Sequence, residues 1–500
     1  IKSYPDKHPF ATDLDIIGNN SLYRLLDISV SEDGSQTLLN WLLNQNPNLK
    51  EIEKRQSIVK ELKELTHFRD KLLLKTFLLS SKSFQKWQGK RVLNWVKQNN
   101  DTKEIKKVLN IASVMVISNY LLYFISLFNI APNLWKISFV IYAIYFFMND
   151  KFAKEFFKEA IDLQFELRKL NAILGYLEKF NYGKNKNLAE FCQPFKDEKI
   201  KPSNYLRRIK NLVASASIQS NPMIWLMSNA IFPWDFFHGY RLKKYKSEIA
   251  DIIPIWLDKV FDLEAMISLA NFADLNPDYI FPDLVEKIET QDHSQFNFKN
   301  ISHPLIEENK KVANDFSMKN IGDSIIITGS NMAGKSTFMR TLGINLSLAY
   351  AGGVVNADIF ETRLFRIFTC IKVSDSVTDG LSYFYAEVKR LKELLNALEK
   401  EDNLPLFFLI DEIFRGTNNR ERLIGSQSLI QALTKQNGIG LISTHDLELV
   451  KLADTISEIK NYHFRDEILD DKMIFSYKLH EGPCPTTNAL KIMRIEGLPV

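Results

Sequence analysis

Five hundred residues amount to roughly three domains at about 150 residues each, so the chain can bury a large core and small stapled scaffolds are excluded. A content of 45% hydrophobic and 25% charged residues, with 19 Gly and 16 Pro, excludes disordered and collagen-like chains, and Cys192, Cys370 and Cys484 are too few and too scattered for a disulfide framework or a structural zinc site. The net charge of +4 is uneven: residues 1–300 carry 41 basic against 34 acidic residues and residues 301–500 carry 23 against 26, a distribution that suits nucleic acid, an anionic membrane surface or an ordinary solvated helical face.

The chain opens at Ile1 without a methionine or signal peptide, which leaves targeting unread at that end; the cysteine usage points to a reducing compartment. From Leu22 to about Leu79, apolar residues recur at three- and four-residue spacings between charges, which predicts amphipathic helices punctuated by turns at Asp33-Gly34 and Asn46-Pro47. Val108 to Ile130 is different: 23 consecutive residues carry no formal charge, long enough to span a bilayer. After Ala131-Pro132-Asn133 a second apolar stretch, Leu134 to Met148, is interrupted only by Lys136. The expectation is a transmembrane helical hairpin with both ends in the cytoplasm. Lys103, Lys106 and Lys107 precede it, Lys151, Lys154 and Lys158 follow it, and its turn side has only Lys136. The alternative is a hairpin buried as protein core. Residues 150–290 again read as helices, through Phe152–Tyr182, Tyr205–Ser217 and Ser247–Ala273.

From Ser302 the texture changes to short apolar runs, Ile325–Thr328, Leu406–Ile410 and Leu441–Ser443, which predict a parallel sheet buried on both faces. The first run leads into Gly329-Ser330-Asn331-Met332-Ala333-Gly334-Lys335-Ser336-Thr337, a G-x-x-x-x-G-K-[ST] phosphate-binding loop between strand and helix. There the glycines let backbone N–H groups converge on phosphates, Lys335 supplies charge to the outer phosphates and Ser336 offers a hydroxyl to Mg²⁺. The second run ends in Asp411-Glu412, where Asp411 suits the metal and Glu412 the attacking water. The third leads to Ser443-Thr444-His445-Asp446, where His445 is placed to sense a γ-phosphate.

Asn331–Thr337, Asp411-Glu412-Ile413 with Arg415-Gly416-Thr417, and Ser443-Thr444-His445, in this order, resemble the ATPase domain of the MutS mismatch-repair family, within the ABC superfamily. Asp375 to Glu387 is similar to that family's signature segment, D-x-x-x-x-G-x-S-x-F-x-x-E, and Tyr477-Lys478-Leu479, Gly482 and Gly497-Leu498-Pro499 to its closing strand and helix. Upstream, Ser21–Asp27 and Leu263–Ala270 are similar to the start of the family's core domain and to the helix that re-enters it. The resemblance implies a dimer in which Ser382 and Glu387 of one subunit face the phosphates of the other.

Departures from the family pattern are informative. The core-like segment begins by about Ser21, which leaves no room for the family's N-terminal mismatch reader with its Phe-x-Glu wedge; Phe157-Lys158-Glu159 has those letters inside a charged helix and is read as coincidence. Lys311-Val312-Ala313-Asn314 stands where the family often has an aromatic residue to stack on adenine. Phe414 replaces a usual glycine, Glu421 a usual aspartate, and the chain stops at Val500 before helices that usually help dimerisation.

The expected architecture is therefore multidomain, an α-helical core and lever region followed by an α/β P-loop, ABC-type ATPase domain. Residues 1–107 form core and first lever, 108–149 the hairpin, 150–300 the second lever with return to the core, and 301–500 the ATPase. The expected function is Mg²⁺-dependent ATP hydrolysis at a dimer-composite site that drives lever movement. The expected partners are a second copy, DNA backbone without mismatch specificity, and membrane lipid, with the protein facing the cytoplasm at the inner or plasma membrane. The alternatives are a soluble, cytoplasmic DNA-binding repair factor and a non-hydrolysing nucleotide switch, against which Glu412 argues.

Overall fold

The computed structural model describes residues 8–78, 86–97, 101–130, 132–286, 294–330, 332–372, 383–400, 403–414, 418–469 and 472–485. Two compact units emerge, one of residues 1–27, 38–64 and 266–500, the other of residues 28–37 and 65–265. The chain is multidomain, with a helical N-terminal region followed by an α/β region of mixed sheets.

Among the described residues, the helices before the first strand are α1 (Leu22–Leu26), α2 (Glu32–Leu42), α3 (Leu49–Lys63), α4 (Thr66–Leu78), α5 (Gly89–Lys97), α6 (Lys103–Leu127), α7 (Leu134–Met148), α8 (Asp150–Lys179), α9 (Lys186–Phe191), α10 (Pro202–Ala216), α11 (Pro222–Ile231), α12 (Trp234–Ile249) and α13 (Ile252–Leu275). Polar caps set several starts. Ser21 accepts from Arg24 N, Asn48 from Glu51 N, and Asn221, just before Pro222, from Met223 N and Ile224 N. Asp33-Gly34, expected as a turn, lies instead in the first turn of α2. Gly34 answers to crowding, because a Cβ there would come within 2.2 Å of Glu264 Oε2, the carboxylate that accepts from Ser31 N at 3.2 Å.

In the all-helical unit, α4, α10 and α12 pack along α8, while α6 and α7 pack along each other as a hairpin. Ile105, Leu109, Ala112 and Val116, spaced by four, three and four, form one stripe of α6 that is buried with Tyr142 and Phe146 of α7, Phe152 and Phe236. The other faces of the hairpin are apolar as well, yet Ile117, Leu121, Val140 and Ile144 are exposed, and only 17% of the most apolar window of α6 is buried. At 25 residues α6 is long enough to cross a bilayer; α7, with 15 residues and a rise of about 22 Å, is shorter than a ~30 Å hydrocarbon core.

In the mixed unit, β1 (Asp283–Val285), β2 (Phe296–Ile301), β3 (Asn314–Met318), β4 (Ser324–Thr328), α14 (Lys335–Ala351), β5 (Ile359–Arg363), β6 (Arg366–Cys370), α15 (Tyr383–Glu399), β7 (Leu406–Asp411), α16 (Asn419–Leu433), β8 (Gly438–Ser443), β9 (Ile459–Leu469) and β10 (Lys472–Glu481) follow in order. The three apolar runs of the sequence are β4, β7 and β8, buried at every residue. They lie in a sheet of order β10-β9-β4-β8-β7-β6, parallel except for the β9–β10 hairpin. A second sheet, β1-β5-β2-β3, is mixed.

The expected boundary near residue 300 marks the change from helices to strands but does not separate the compact units. The physical reason is α14, which is buried almost throughout. The segments at 8–27 and 38–64 cover it: a Cβ on Gly343 would lie 2.5 Å from Leu14 Cδ2, Ser347 Oγ donates to Leu42 O at 2.7 Å, and Arg55 Nη2 donates to Tyr350 O at 2.9 Å. The first described residues also reach β6, where Thr369 N donates to Pro9 O at 3.0 Å.

Candidate functional site

β4, β8 and β7 are adjacent and parallel, so their carboxyl ends bring Thr328, Ser443 and Asp411 side by side at the mouth of the sheet. Beyond Thr328 the chain turns through Gly329 at φ 139° and Gly334 at φ 107°, values that only glycine adopts without strain, and enters α14 at Lys335. At Gly329 there is also no room for a side chain, since a Cβ would lie 2.5 Å from Phe464 O. Lys335 is nearly buried, and its Nζ donates to the loop's own carbonyls, Gly329 O at 2.6 Å and Ser330 O at 2.9 Å. The amide groups and dipole of the α14 N-terminus add positive potential at the same place.

Three oxygen-bearing side chains interlock beside the loop. Ser336 Oγ donates to Asp411 Oδ2 at 2.6 Å, and Ser443 Oγ donates to Asp411 Oδ1. A hydroxyl and a carboxylate in contact make a hard-oxygen pair of the kind Mg²⁺ takes when phosphate and water complete its shell. No cluster of three or more His, Cys, Asp or Glu suited to a metal occurs among the described residues.

Glu412 is held by its backbone: its N–H donates to Ser443 O at 3.1 Å and Ser443 Oγ at 3.2 Å. Both Glu412 and Phe414 adopt left-handed backbone, φ 54° and 57°, on either side of buried Ile413. Such strain at non-glycine residues costs on the order of 1–3 kcal/mol each and persists where neighbours enforce it. Ser443 enforces it on one side; on the other, Glu387 Oε1 accepts from Phe414 N at 2.6 Å. His445, half exposed, has its Nδ1 3.9 Å from Glu412 Oε1.

Of the residues singled out from the sequence, Lys335, Ser336, Asp411, Glu412 and His445 thus converge on one mouth, with Gly329, Ser330, Met332, Ala333, Gly334 and Thr337 forming its rim and the start of α14. Asn331 and Ser382 lie outside the described residues. Glu387, expected to face a second copy, is buried against the loop of its own chain that carries Glu412 and Phe414.

Next to the loop lies a cavity of about 550 Å³, lined among others by His303, Lys311, Asn314, Phe338, Thr341 and Tyr477. Tyr477 went unread as a site residue. It sits in a β-bulge of β10 at φ 51°, and a Cβ on Gly334 would lie 3.1 Å from its ring. Asn314 fixes the bulge, donating Nδ2 to Tyr477 O at 3.0 Å and accepting from Leu479 N at 2.8 Å across a sequence gap of 163 or more residues. No local pattern announces such a contact. Lys311, the residue that stands where an aromatic was looked for, directs its ammonium to Tyr279 OH at 2.9 Å and to Glu308. His303 accepts from Leu305 N through Nδ1 at 3.2 Å, and burial pushes its pKa down to about 4, so it is a neutral ring with its proton on the other nitrogen.

Residues 325–500 match the MutS domain V family. The chain is 29% identical to the DNA mismatch repair protein MutS of Lactobacillus gasseri over 264 residues, 51% of this chain and 30% of that protein. It is 28% identical to the protein of the same name from Ehrlichia ruminantium over 310 residues, covering 59% and 37%, and 26% identical to that of Thermosipho melanesiensis over 333 residues, covering 66% and 38%. The match spans about a third of the length of these curated relatives.

Proposed function

We propose, with residues 325–500 as a MutS domain V for premise, that this chain is a DNA-linked ATPase that binds Mg-ATP in the cleft at the ends of β4, β8 and β7 and hydrolyses it. The observation that carries this reading is the Ser336–Asp411–Ser443 interlock beside the phosphate loop, with Glu412 held next to it on strained backbone. The loop amides and the α14 N-terminus hold the phosphates, and Lys335 Nζ moves from the carbonyls of Gly329 and Ser330 to the outer phosphate. Ser336 and Asp411 would hold Mg²⁺, which when bound neutralises charge developing on the phosphate oxygens. Glu412 takes a proton from water as its oxygen bonds to the γ-phosphorus and the bridging oxygen leaves with ADP. His445 stands behind Glu412 as a sensor of the γ-phosphate. The cavity beside the loop takes the base, and Tyr477 supplies the aromatic surface that Lys311 does not.

The test is Glu412→Gln. ATP affinity should be retained while turnover falls by about 10²–10⁴-fold; unchanged turnover would remove Glu412 from the role of base.

The resemblance to the family also assigns Ser382 to act across a dimer, and the relatives' name supports a role on DNA. DNA contact through the excess of basic residues in 1–300 would be to phosphates, salt-dependent and equal for paired and mispaired duplex. A clear preference for mispaired duplex in a binding titration would overturn that point.

A second reading concerns place. The relatives' name fits a cytoplasmic protein, whereas the α6–α7 hairpin, apolar on all faces and buried along one stripe only, favours attachment to a membrane from the cytoplasmic side. Fractionation decides between them: recovery in the carbonate-resistant membrane pellet supports attachment, and a fully soluble chain without detergent ends it.

A further inference from the structure

A third segment shares the hairpin's character. Asn211 to Trp234 runs for 24 residues without a formal charge; Arg207, Arg208 and Lys210 precede it, and Asp235 closes it ahead of Arg241, Lys243 and Lys244. Within it, α11 packs on the hairpin. Trp225 meets Phe146 of α7 at 5.9 Å between ring centroids, Tyr142 OH donates to Asn229 O at 2.5 Å, and Tyr120 OH of α6 donates to Ile231 O at 3.0 Å.

Trp225 and Asn229 of α11 turn their polar atoms inward. Trp225 Nε1 donates to Asp235 Oδ2 at 2.6 Å, Asn229 Nδ2 donates to the same oxygen at 3.2 Å, and Asn229 Oδ1 accepts from Asp235 N at 3.1 Å; Asp235 itself is wholly buried. What remains outside is apolar: Met223, Ile224, Leu226, Met227, Ile231 and Phe232 are all exposed. A surface helix in water shows the reverse pattern, polar outward, and apolar patches of this extent mark a contact. Between α7 and α11 runs a small groove whose walls include Phe139, Ala143, Phe147, Leu226 and Ala230.

With the hairpin in lipid as its premise, we propose that α11 is a third lipid-contacting helix, so that α6, α7 and α11 present one continuous surface to the acyl chains of an anionic bilayer. Two observations favour lipid over a protein partner: continuity with α6, a helix long and apolar enough to span a bilayer, and the basic residues Arg207, Arg208 and Lys210 that lead into the uncharged run. Ten residues rise about 15 Å, so α11 enters only half of a ~30 Å hydrocarbon layer and the chain returns through Phe232-Pro233 into α12.

The experiment uses the full chain carrying Cys484→Ser, with Ile117→Cys on α6, Met227→Cys on α11 or Lys186→Cys on α9, each labelled with an environment-sensitive fluorophore. The labelled proteins are reconstituted into vesicles of phosphatidylcholine and phosphatidylglycerol that contain nitroxide-labelled acyl chains. The expected result is acyl-chain quenching of the Met227 and Ile117 labels to a similar fraction, with the Lys186 label quenched only by aqueous iodide. Quenching at Ile117 without quenching at Met227 overturns the proposal and leaves the hairpin reading intact. Absence of acyl-chain quenching at both ends the membrane reading itself. A Met227 label shielded from iodide and from nitroxide alike means that protein, such as a second copy, covers α11, and also overturns the proposal.

Discussion

Tyr477 and His303 show how differently two site residues are written in a sequence. The phosphate-loop residues are legible because Gly329, Gly334 and Lys335 act within one turn of chain, where spacing alone fixes their roles. Tyr477 reaches the same place only because Asn314, remote in sequence, clamps the bulge that aims it. Replacing Tyr477 with Ala should weaken ATP binding by about 1–3 kcal/mol, the worth of a base on an aromatic ring, with little change in turnover at saturating ATP; Tyr477→Phe should restore affinity, and calorimetric titration of the three proteins reads the difference. His303 predicts a pH effect. Its pKa is lowered to about 4 in the folded chain, chiefly by burial, against an ordinary value of 6.5. The unfolded chain therefore binds the extra proton between those values, and stability falls as pH drops from 6.5 towards 4, by on the order of 2 kcal/mol at pH 5. Denaturant titration across that window should show the slope in the natural chain and a flatter profile in His303→Asn, whose side-chain oxygen can still accept from Leu305 N.

At the scale of elements, apolar periodicity located the long helices and all three central strands but not α5, α9, α11 or α12, because burial on one face or on both leaves a pattern in the residues only where the element is long or wholly buried. It misjudged what depends on neighbours. Gly34 looked like turn chemistry and is a contact point for Glu264; α11 was not picked out, and its Trp225 and Asn229 find a partner in Asp235 of α12 that no local pattern reveals. Glu387 belongs here too, for it ties α15 to the loop carrying Glu412. The hairpin yields a direct prediction. Deleting residues 108–149 and joining the flanks removes α7 and most of α6, including all of the exposed side chains named above for them, and should give a chain that keeps the apolar face of α11 and still binds ATP. Loss of ATP binding, measured with a fluorescent nucleotide, would mean that the hairpin holds up the fold.

At the scale of the whole molecule, Lys335 and Ser382 separate two kinds of defect. If the signature segment acts across a dimer, a Lys335→Ala chain mixed with a Ser382→Arg chain should recover part of the ATPase activity that neither has alone; no recovery would place both residues in one chain's own site. The N-terminal strip described with the fold has a different consequence. β6 is the last strand of its sheet, and an uncovered last strand is an invitation to pair with another chain. Here Thr369 N bonds Pro9 O, Arg390 Nη2 bonds Pro9 O at 2.6 Å, and the buried Asp13 carboxylate accepts from Thr369 Oγ1 at 2.7 Å and from Ile371 N at 2.8 Å. Residues 9–13 thus act as a selvedge, the woven border that keeps a cloth from unravelling. Residues 301–500 expressed by themselves hold all of the motifs read for nucleotide binding but lack that border and the cover of α14, so they should self-associate on a sizing column, while the same residues fused behind residues 8–64 should run as a discrete species. Cut at the change from helices to strands, the fabric should fray.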